Sequence, residues 1–289
     1  MEIRRLPASA GAEWLLEAFR LFMKSPTGFV LLGVIYAGLM LAVMAGAQIS
    51  PAIGGLLQLV FLLLGPLLMA GMIFAAHEVD AGRSAMPGHL MAAVRTGRAG
   101  RVLTTLIPQI AIAALVIGLL YLLVGQENML KISELMAKIQ TQAQAGAPVD
   151  PNLLLQLPTG RLFAWMVLTM GILLATLFLT FTVVPDLMFA DVRLLAAMKR
   201  SLRACLANLP AMLVFMLLAL VVMFAVGIGL GIVMGLLQLV LGQAGAMVGN
   251  ALGNGVMICY VAATMYVAWK QMLGGTDTAA PPAPSAVAM

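Results

Sequence analysis

Charged residues are scarce in this chain of 289 residues: Asp, Glu, Lys and Arg make up 9% of it, whereas 63% is hydrophobic. About a quarter of the residues in soluble domains are charged, so this composition excludes an ordinary soluble globular domain. Four runs have no charged residue, at 25–76, 102–126, 162–185 and 204–269. Since a spanning helix needs about 20 apolar residues, the first and last runs hold two spans each and the middle runs one each. The sequence predicts an all-α polytopic membrane protein with six transmembrane helices, and the length of 204–269 leaves seven spans open.

Cysteine and histidine are also few, with two residues of each type. Cys205 and Cys259 both fall in the half of the molecule that we predict to be cytoplasmic, so we expect no structural disulfide. One cluster has metal-ligand chemistry, and it consists of His77, Glu78, Asp80 and His89. Its spacing matches no zinc motif such as HExxH. We therefore expect a solvated helix end here, with no metal and no cofactor.

The net charge of +5 is distributed unevenly along the chain. With the N-terminus inside, only Lys131, Lys138 and Arg161 lie outside, and the other cations are cytoplasmic: Arg4, Arg5, Arg20, Lys24, Arg83, Arg95, Arg98, Arg101, Arg193, Lys199, Arg200, Arg203 and Lys270. This is the positive-inside pattern of bacterial inner-membrane proteins with both termini in the cytoplasm, and it explains the charge without a nucleic-acid partner. Glu13, Glu17 and Arg20 interrupt the N-terminal region, so we expect no cleavable signal peptide.

The most informative segment is a basic amphipathic helix between the fourth and fifth spans. At 100° per residue, one arc carries Leu194, Leu195, Met198, Leu202, Cys205, Leu206 and Leu209. The opposite side carries the candidates for lipid contact, which are Arg193, Lys199, Arg200 and Arg203. Such a helix is expected to lie in the bilayer surface with its leucines in the acyl boundary and its cations at anionic inner-leaflet lipids. Nearby, Asp186 and Asp191 are ion-pair candidates, and for Asp186 we expect Arg200 or Arg203 as the partner.

Other segments complete the domain plan. Residues 12–24 are predicted to form a second amphipathic helix, in which a narrow charged stripe occupies one side and apolar residues such as Trp14, Phe19 and Met23 cover the rest. The 126–160 segment is an outer-side loop that contains a helix, and it either rests on the outer leaflet, caps the bundle, or acts as a lid or docking patch. We expect 1–273 to be one membrane-embedded helical domain and the Ala/Pro/Thr-rich tail 274–289 to be disordered.

The last two spans combine small and amide side chains. Glycines recur at every fourth residue, first as Gly227, Gly231 and Gly235 and then as Gly245, Gly249 and Gly253. Such ladders let helix backbones approach closely, so we expect the two to face one another. Beside the second ladder lie the polar intramembrane candidates Gln243, Asn250 and Asn254. Because amides in lipid need partners, they indicate that the sixth span is an interior helix, in contact with another helix or with a solute.

The order of elements suggests a threefold internal repeat, since a surface helix leads into a pair of spans at 12–76, 87–191 and 193–272. The chain also carries Asp80-Ala-Gly82, His89-Leu90 and Pro185-Asp186-Leu-Met188-Phe189, followed by Ala197 and Arg200-Ser201. In these residues it resembles an uncharacterised family of six-span bacterial inner-membrane proteins. It is also distantly similar to the membrane domain attached to some glycerophosphoryl diester phosphodiesterases. The sequence holds no soluble catalytic domain, so we do not expect that activity here.

Three functions remain open at this point. No GxSxG turn, paired carboxylate or Walker loop is present, which favours a non-enzymatic protein that organises helices, lipids or partner proteins, including other copies of itself. The alternative is a small-molecule transporter or channel, which the six spans, the repeat and the amides of the sixth span favour. A lipid-modifying enzyme comes third, with Asp186, Asp191, Glu78 or His77 acting at the cytoplasmic surface.

Overall fold

A computed structural model describes residues 3–144 and 157–274 of the chain. The described residues form helices and turns, without a strand. One short 3₁₀ helix spans Pro87–Met91. The α-helices in chain order are α1 (Ala10–Lys24), α2 (Pro26–Ile49), α3 (Pro51–Asp80), α4 (Ala92–Arg95), α5 (Ala99–Leu103), α6 (Leu106–Val124), α7 (Gln126–Gln144), α8 (Thr159–Thr180), α9 (Val183–Phe189), α10 (Leu194–Ala207), α11 (Leu209–Gly242) and α12 (Ala244–Met272).

Six helical segments in the described part are long and apolar enough to cross a membrane, and these are Pro26–Ile49, Pro51–Asp80, Ala99–Val124, Thr159–Phe189, Leu209–Gly242 and Ala244–Met272. The prediction of an all-α, multi-pass membrane protein is thus confirmed. The charge-free run 204–269, which was long enough for three spans, forms two membrane-spanning helices, α11 and α12. Gly242 separates them with φ 64° and ψ −152°, a conformation that glycine adopts without a Cβ clash.

The helices begin where the local chemistry favours it. Pro26 and Pro51 occupy the first turns of α2 and α3, where the missing N–H costs no helical hydrogen bond. Ser50 caps α3, because its hydroxyl accepts a hydrogen bond from the N–H of Ile53 at 3.2 Å. Pro66 lies within α3, where it is buried and does not end the helix.

The chain divides into two compact units. The larger unit combines Met1–Thr105 with Phe178–Met289, and the smaller unit is Leu106–Leu177. In the smaller unit, Trp165 donates from Nε1 to the carbonyl oxygen of Val116 at 3.1 Å, which joins α8 to α6. Its α7 forms the helix expected in the 126–160 segment. The rest of that segment up to 156, and the tail from 275 onwards, lie outside the described residues.

The core of the larger unit is formed by α1, α2, α3 and α12. A Cβ atom on Gly33 would stand 2.8 Å from the carbonyl carbon of Gly255, so α2 and α12 touch through their backbones. Helix α1 packs against α11 and α12 with Trp14 fully buried, whereas Phe19 and Met23 point outward. The Trp14 side of α1 therefore packs against the neighbouring helices, and its exposed apolar residues, such as Phe19 and Met23, can contact the surrounding lipid.

The two glycine ladders behave differently from each other. Gly249 packs against the side chains of Met234 and Leu237 on α11, and Gly245 and Gly253 also contact α11. By contrast, a Cβ on any glycine of the α11 ladder would meet nothing within 4 Å. The prediction that the ladders face one another is wrong, because the bulky residues of α11 fill the space beside the α12 glycines.

Candidate functional site

The site begins with Asp186, whose side chain is completely buried in α9. Its Oδ1 accepts a hydrogen bond from Nε1 of Trp269 at 3.0 Å and lies 3.3 Å from Nη2 of Arg200. Arg200 is one of the two partners expected from the sequence. The other carboxylate oxygen of Asp186, Oδ2, is buried and has no hydrogen-bond partner in the described part of the chain. A buried carboxylate is unfavourable unless it is paired and hydrogen-bonded. The contacts of Asp186 with Arg200 and Trp269 therefore join α9 to α10 and α12.

A second carboxylate, Asp80, lies at the end of α3 and binds the same turn of α12. Its Oδ2 accepts a hydrogen bond from the hydroxyl of Tyr266 at 2.7 Å and forms an ion pair with Nζ of Lys270. Tyr266, Trp269 and Lys270 stand three and four residues apart, so they share one face of α12. We call Asp80, Asp186, Arg200 and these three residues the polar cluster. Sequence reasoning missed Tyr266 and Trp269, whose only signal is this spacing beside Lys270.

The residues considered for metal binding have separate partners. His77 stacks among aromatic rings, with its ring centroid 4.9 Å from that of Phe189, and its Nδ1 is buried without a hydrogen bond. Glu78 accepts hydrogen bonds from Nε and Nη2 of Arg83 at 2.5 and 2.6 Å, and this contact raises the pKa of Arg83. Among residues 3–144 and 157–274, no group of three or more His, Cys, Asp or Glu side chains is placed to hold a metal ion.

His89 caps the 3₁₀ helix and does not face an open site. Its Nδ1 accepts a hydrogen bond from the N–H of Met86 at 3.2 Å. Burial is the main cause that lowers the pKa of His89; nearby Glu78 raises it to a smaller extent, and the cations Arg83 and Arg95 lower it further. The neutral imidazole, which can accept this hydrogen bond, is therefore favoured in the folded protein.

Asp191 lies apart from the polar cluster. It is exposed and pairs with Arg101 on α5. Arg98 donates to the backbone oxygens of Met188 and Ala190 close by. These contacts attach the segment after α9 to the α5 region. Asp191 thus forms its ion pair with α5 rather than with α10.

Helix α10 turns a face of small residues toward the protein. Its buried residues are Ala197, Ser201, Ala204 and Cys205. The hydroxyl of Ser201 donates to the carbonyl oxygen of Phe178 at 3.0 Å and accepts from the N–H of Thr182 at 3.2 Å. Burial raises the pKa of the Cys205 thiol to about 12. The placement of Cys205 on a lipid-facing arc is therefore wrong, because the small residues allow α10 to pack closely against its neighbours.

The four cations of α10 do not form one set. Arg193, Lys199 and Arg203 are exposed, as predicted for contact with lipid, whereas Arg200 is half-buried against Asp186. The assignment of Arg200 to the lipid surface is thus corrected, because the buried carboxylate binds it. Leu195 and Leu206 share the outer side with the free cations, with exposed fractions of 72% and 55%.

Asn208 anchors the end of α10 to the N-terminal segment. Its Oδ1 accepts a hydrogen bond from the N–H of Leu6 at 2.7 Å, and its Nδ2 donates to the carbonyl oxygen of Arg4 at 2.9 Å. The helical pattern placed Asn208 at the boundary of the two faces but did not indicate this role. Because Asn208 is fully buried, these hydrogen bonds hold the C-terminal end of α10 against the N-terminal segment.

The intramembrane amides on α12 pair within their own helix. Nδ2 of Asn254 donates to the backbone oxygen and to Oδ1 of Asn250, both at 2.9 Å. The buried side of α12 is formed by other residues, such as Ala251, Gly255 and Cys259. Asn254 instead borders a cavity of about 340 Å³ that α2 and α3 complete with Tyr36 and Gln58. The side chain of Gln243 lies outside the described part of the structure.

Comparisons with known proteins leave the resemblance as a prediction. Nothing matches the chain among protein-family models, curated proteins or solved structures. The residues that carry the resemblance do have structural roles here, since Asp80 and Asp186 bind α12 and Ser201 binds the segment before α9.

Proposed function

We propose that this chain is a multi-pass protein of the bacterial inner membrane that organises membrane lipid, and partner helices bound beside it, without catalysing a reaction. One observation carries the proposal. The outer side of α10 combines the exposed cations Arg193, Lys199 and Arg203 with the exposed leucines Leu195 and Leu206, while its inner side is bound to the protein. This arrangement suits a helix that lies at a lipid headgroup boundary.

The cations supply the preference for anionic lipid. Each cation near an anionic leaflet contributes about 1 kcal/mol before screening by salt. Arg200 adds little to this term, because it is bound to Asp186. In this proposal the polar cluster holds α10 in place, and the three remaining cations bind phospholipid headgroups.

The experiment compares two double variants that remove the same charge. Lys199→Gln/Arg203→Gln removes two exposed cations of α10, and Lys131→Gln/Lys138→Gln removes two exposed cations of α7. The protein is extracted with its surrounding lipid, and the ratio of phosphatidylglycerol to phosphatidylethanolamine is measured. We expect the α10 variant to lose its phosphatidylglycerol enrichment, by up to about thirtyfold at low salt. Unchanged enrichment in that variant would contradict the proposal.

The proposed orientation, with both termini in the cytoplasm, has its own test. Ser84 follows α3 and Ser133 lies on α7, and both are exposed. We expect an impermeant maleimide to label Ser133→Cys in intact spheroplasts and Ser84→Cys only after permeabilisation. The native thiols are buried and serve as an internal background. The reverse labelling pattern would refute the orientation.

The transporter remains the second candidate, since the cavity beside Asn254 supports an interaction with an uncharged small molecule. The enzyme hypothesis draws less support from the geometry. The carboxylates of Asp186, Glu78 and Asp191 are each bound by an arginine.

A further inference from the structure

The cavity between α2, α3 and α12 is built from apolar side chains and three polar ones. The polar side chains are Tyr36, Gln58 and Asn254, and the flexible residues Met40, Met44 and Met257 line it beside them. A volume of about 340 Å³ lies within the range of small-molecule sites. All of these residues belong to the larger unit.

The polar groups of the cavity have unused hydrogen-bonding capacity. Among the described residues, the side chains of Tyr36 and Gln58 make no hydrogen bond, and Oδ1 of Asn254 accepts none. Gln58 is exposed on a helix that is long and apolar enough to cross a membrane. An amide without a partner is costly in lipid, where no water can replace the partner.

The depth of the site indicates what can reach it. Gln58 lies seven residues after the start of α3, about 10 Å along the helix, and Asn254 lies about 15 Å from the start of α12. Both helix starts are at the end of the larger unit opposite the polar cluster. A molecule that enters from the surrounding leaflet can therefore place a polar group beside these amides and its chain beside the methionines.

The absence of charge restricts the chemistry of the ligand. The residues that line the cavity include no Asp, Glu, Lys, Arg or His. A charged headgroup would be buried there without a counterion, which is unfavourable. An uncharged group that offers both a carbonyl acceptor and a hydroxyl can pair with the tyrosine hydroxyl and the amides.

We propose that this cavity binds an uncharged glycerolipid of the diacylglycerol type. Its ester and hydroxyl groups bind Tyr36, Gln58 and Asn254, and its acyl chain packs against Met40, Met44 and Met257, which adapt to irregular shapes. This site is separate from α10 and does not depend on the proposed contact of that helix with anionic headgroups.

The test uses the full chain in lipid nanodiscs that contain a diacylglycerol with a photoactivatable acyl chain. After irradiation, the labelled peptides are mapped by mass spectrometry, and unlabelled diacylglycerol or phosphatidylglycerol is added as competitor. We expect labelling at the cavity methionines, with competition by diacylglycerol and little by phosphatidylglycerol. Gln58→Leu and Asn254→Leu should each reduce the labelling about fivefold, as expected for one hydrogen bond.

Two control variants separate binding from general effects. Gln238→Leu makes the same substitution at an exposed amide of α11 that does not border the cavity. Asn250→Leu removes the amide that pairs with Asn254 but does not line the cavity either. Both should keep the labelling. Equal loss in all four variants, labelling elsewhere, equal competition by phosphatidylglycerol, or crosslinks from the cavity to a second copy of the chain would overturn the proposal.

Discussion

In the polar cluster, Asp80 and Asp186 join α12 to α3, α9 and α10 through hydrogen bonds and ion pairs. In the rest of the larger unit, α12 meets α2 and α11 largely through glycines, and the Cys259 thiol adds only a weak hydrogen bond to the carbonyl oxygen of Phe29 at 3.5 Å. Polar contacts depend on partners that must all be present, because one group left alone is costly when buried. Glycine contacts depend on space, because a single added methyl group already overlaps the neighbouring helix. The two regions should therefore respond to different kinds of substitution.

The largest effect is expected from the buried ion pair. Arg200→Leu leaves Asp186 without its counterion in a fully buried position, and we expect a loss of roughly 3–5 kcal/mol in unfolding free energy. Arg203→Leu is the matched control on the same helix and should have little effect, since Arg203 is exposed. Denaturation in mixed detergent micelles provides the measurement. Adding Asp186→Leu to Arg200→Leu should restore part of the loss, and similar losses for both single variants would contradict the buried pair.

A smaller loss is expected where backbones touch. Gly33→Ala places a Cβ 2.8 Å from the carbonyl group of Gly255, and rigid backbone cannot yield, so we expect roughly 1–3 kcal/mol of destabilisation. Gly38→Ala on the same helix meets nothing within 4 Å and should be neutral or slightly stabilising. The same denaturation assay compares the two. Equal stability of both variants would show that α2 and α12 do not touch at Gly33.

The two glycine ladders sharpen the comparison within one hairpin. In Gly249→Ala the new Cβ lies 3.0 Å from Cδ1 of Leu237, a flexible side chain that can shift, so we expect a loss below about 1 kcal/mol. Gly231→Ala meets open space on α11 and should not destabilise the protein. If Gly231→Ala were the more harmful change, the α11 ladder would form a contact that this packing does not contain.

The smallest effect concerns pH and the hydrogen bond of His89. Because its pKa is lowered in the folded protein, the neutral form contributes stability that is present above the unfolded pKa of about 6.5 and is lost as the pH falls through the folded value. His89→Leu should remove this part of the pH dependence, which amounts to at most about 1 kcal/mol for one hydrogen bond. Thermal unfolding of both proteins at several pH values measures it. An unchanged difference between neutral and acidic pH would exclude His89 as a contributor.

Some features of the site follow from sequence patterns, and others do not. The sequence predicts Arg200 or Arg203 as the ion-pair partner of Asp186, because both lie close in the chain on a helix that follows the aspartate. The choice of Arg200 depends on the rotation of α10, which the small face around Ala197 and Ser201 decides. The helical pattern placed the apolar arc of α10, including Cys205, at the lipid, but such a pattern cannot distinguish a face that packs on protein from one that contacts lipid, because apolar side chains are stable in both places. Small residues are the better indicator of packing in a membrane.

The amino-acid sequence by itself determined the six apolar helices and the places where they begin, because hydrophobic length and proline or glycine at helix ends act locally. It also determined that cations cluster around α10. Only the tertiary structure decided which cation binds Asp186, which glycines touch a neighbour and which amides border a cavity. Within a bilayer these choices depend on shape and on hydrogen-bond partners distant in the chain, such as Trp269 for Asp186, and hydrophobic periodicity carries no information about them.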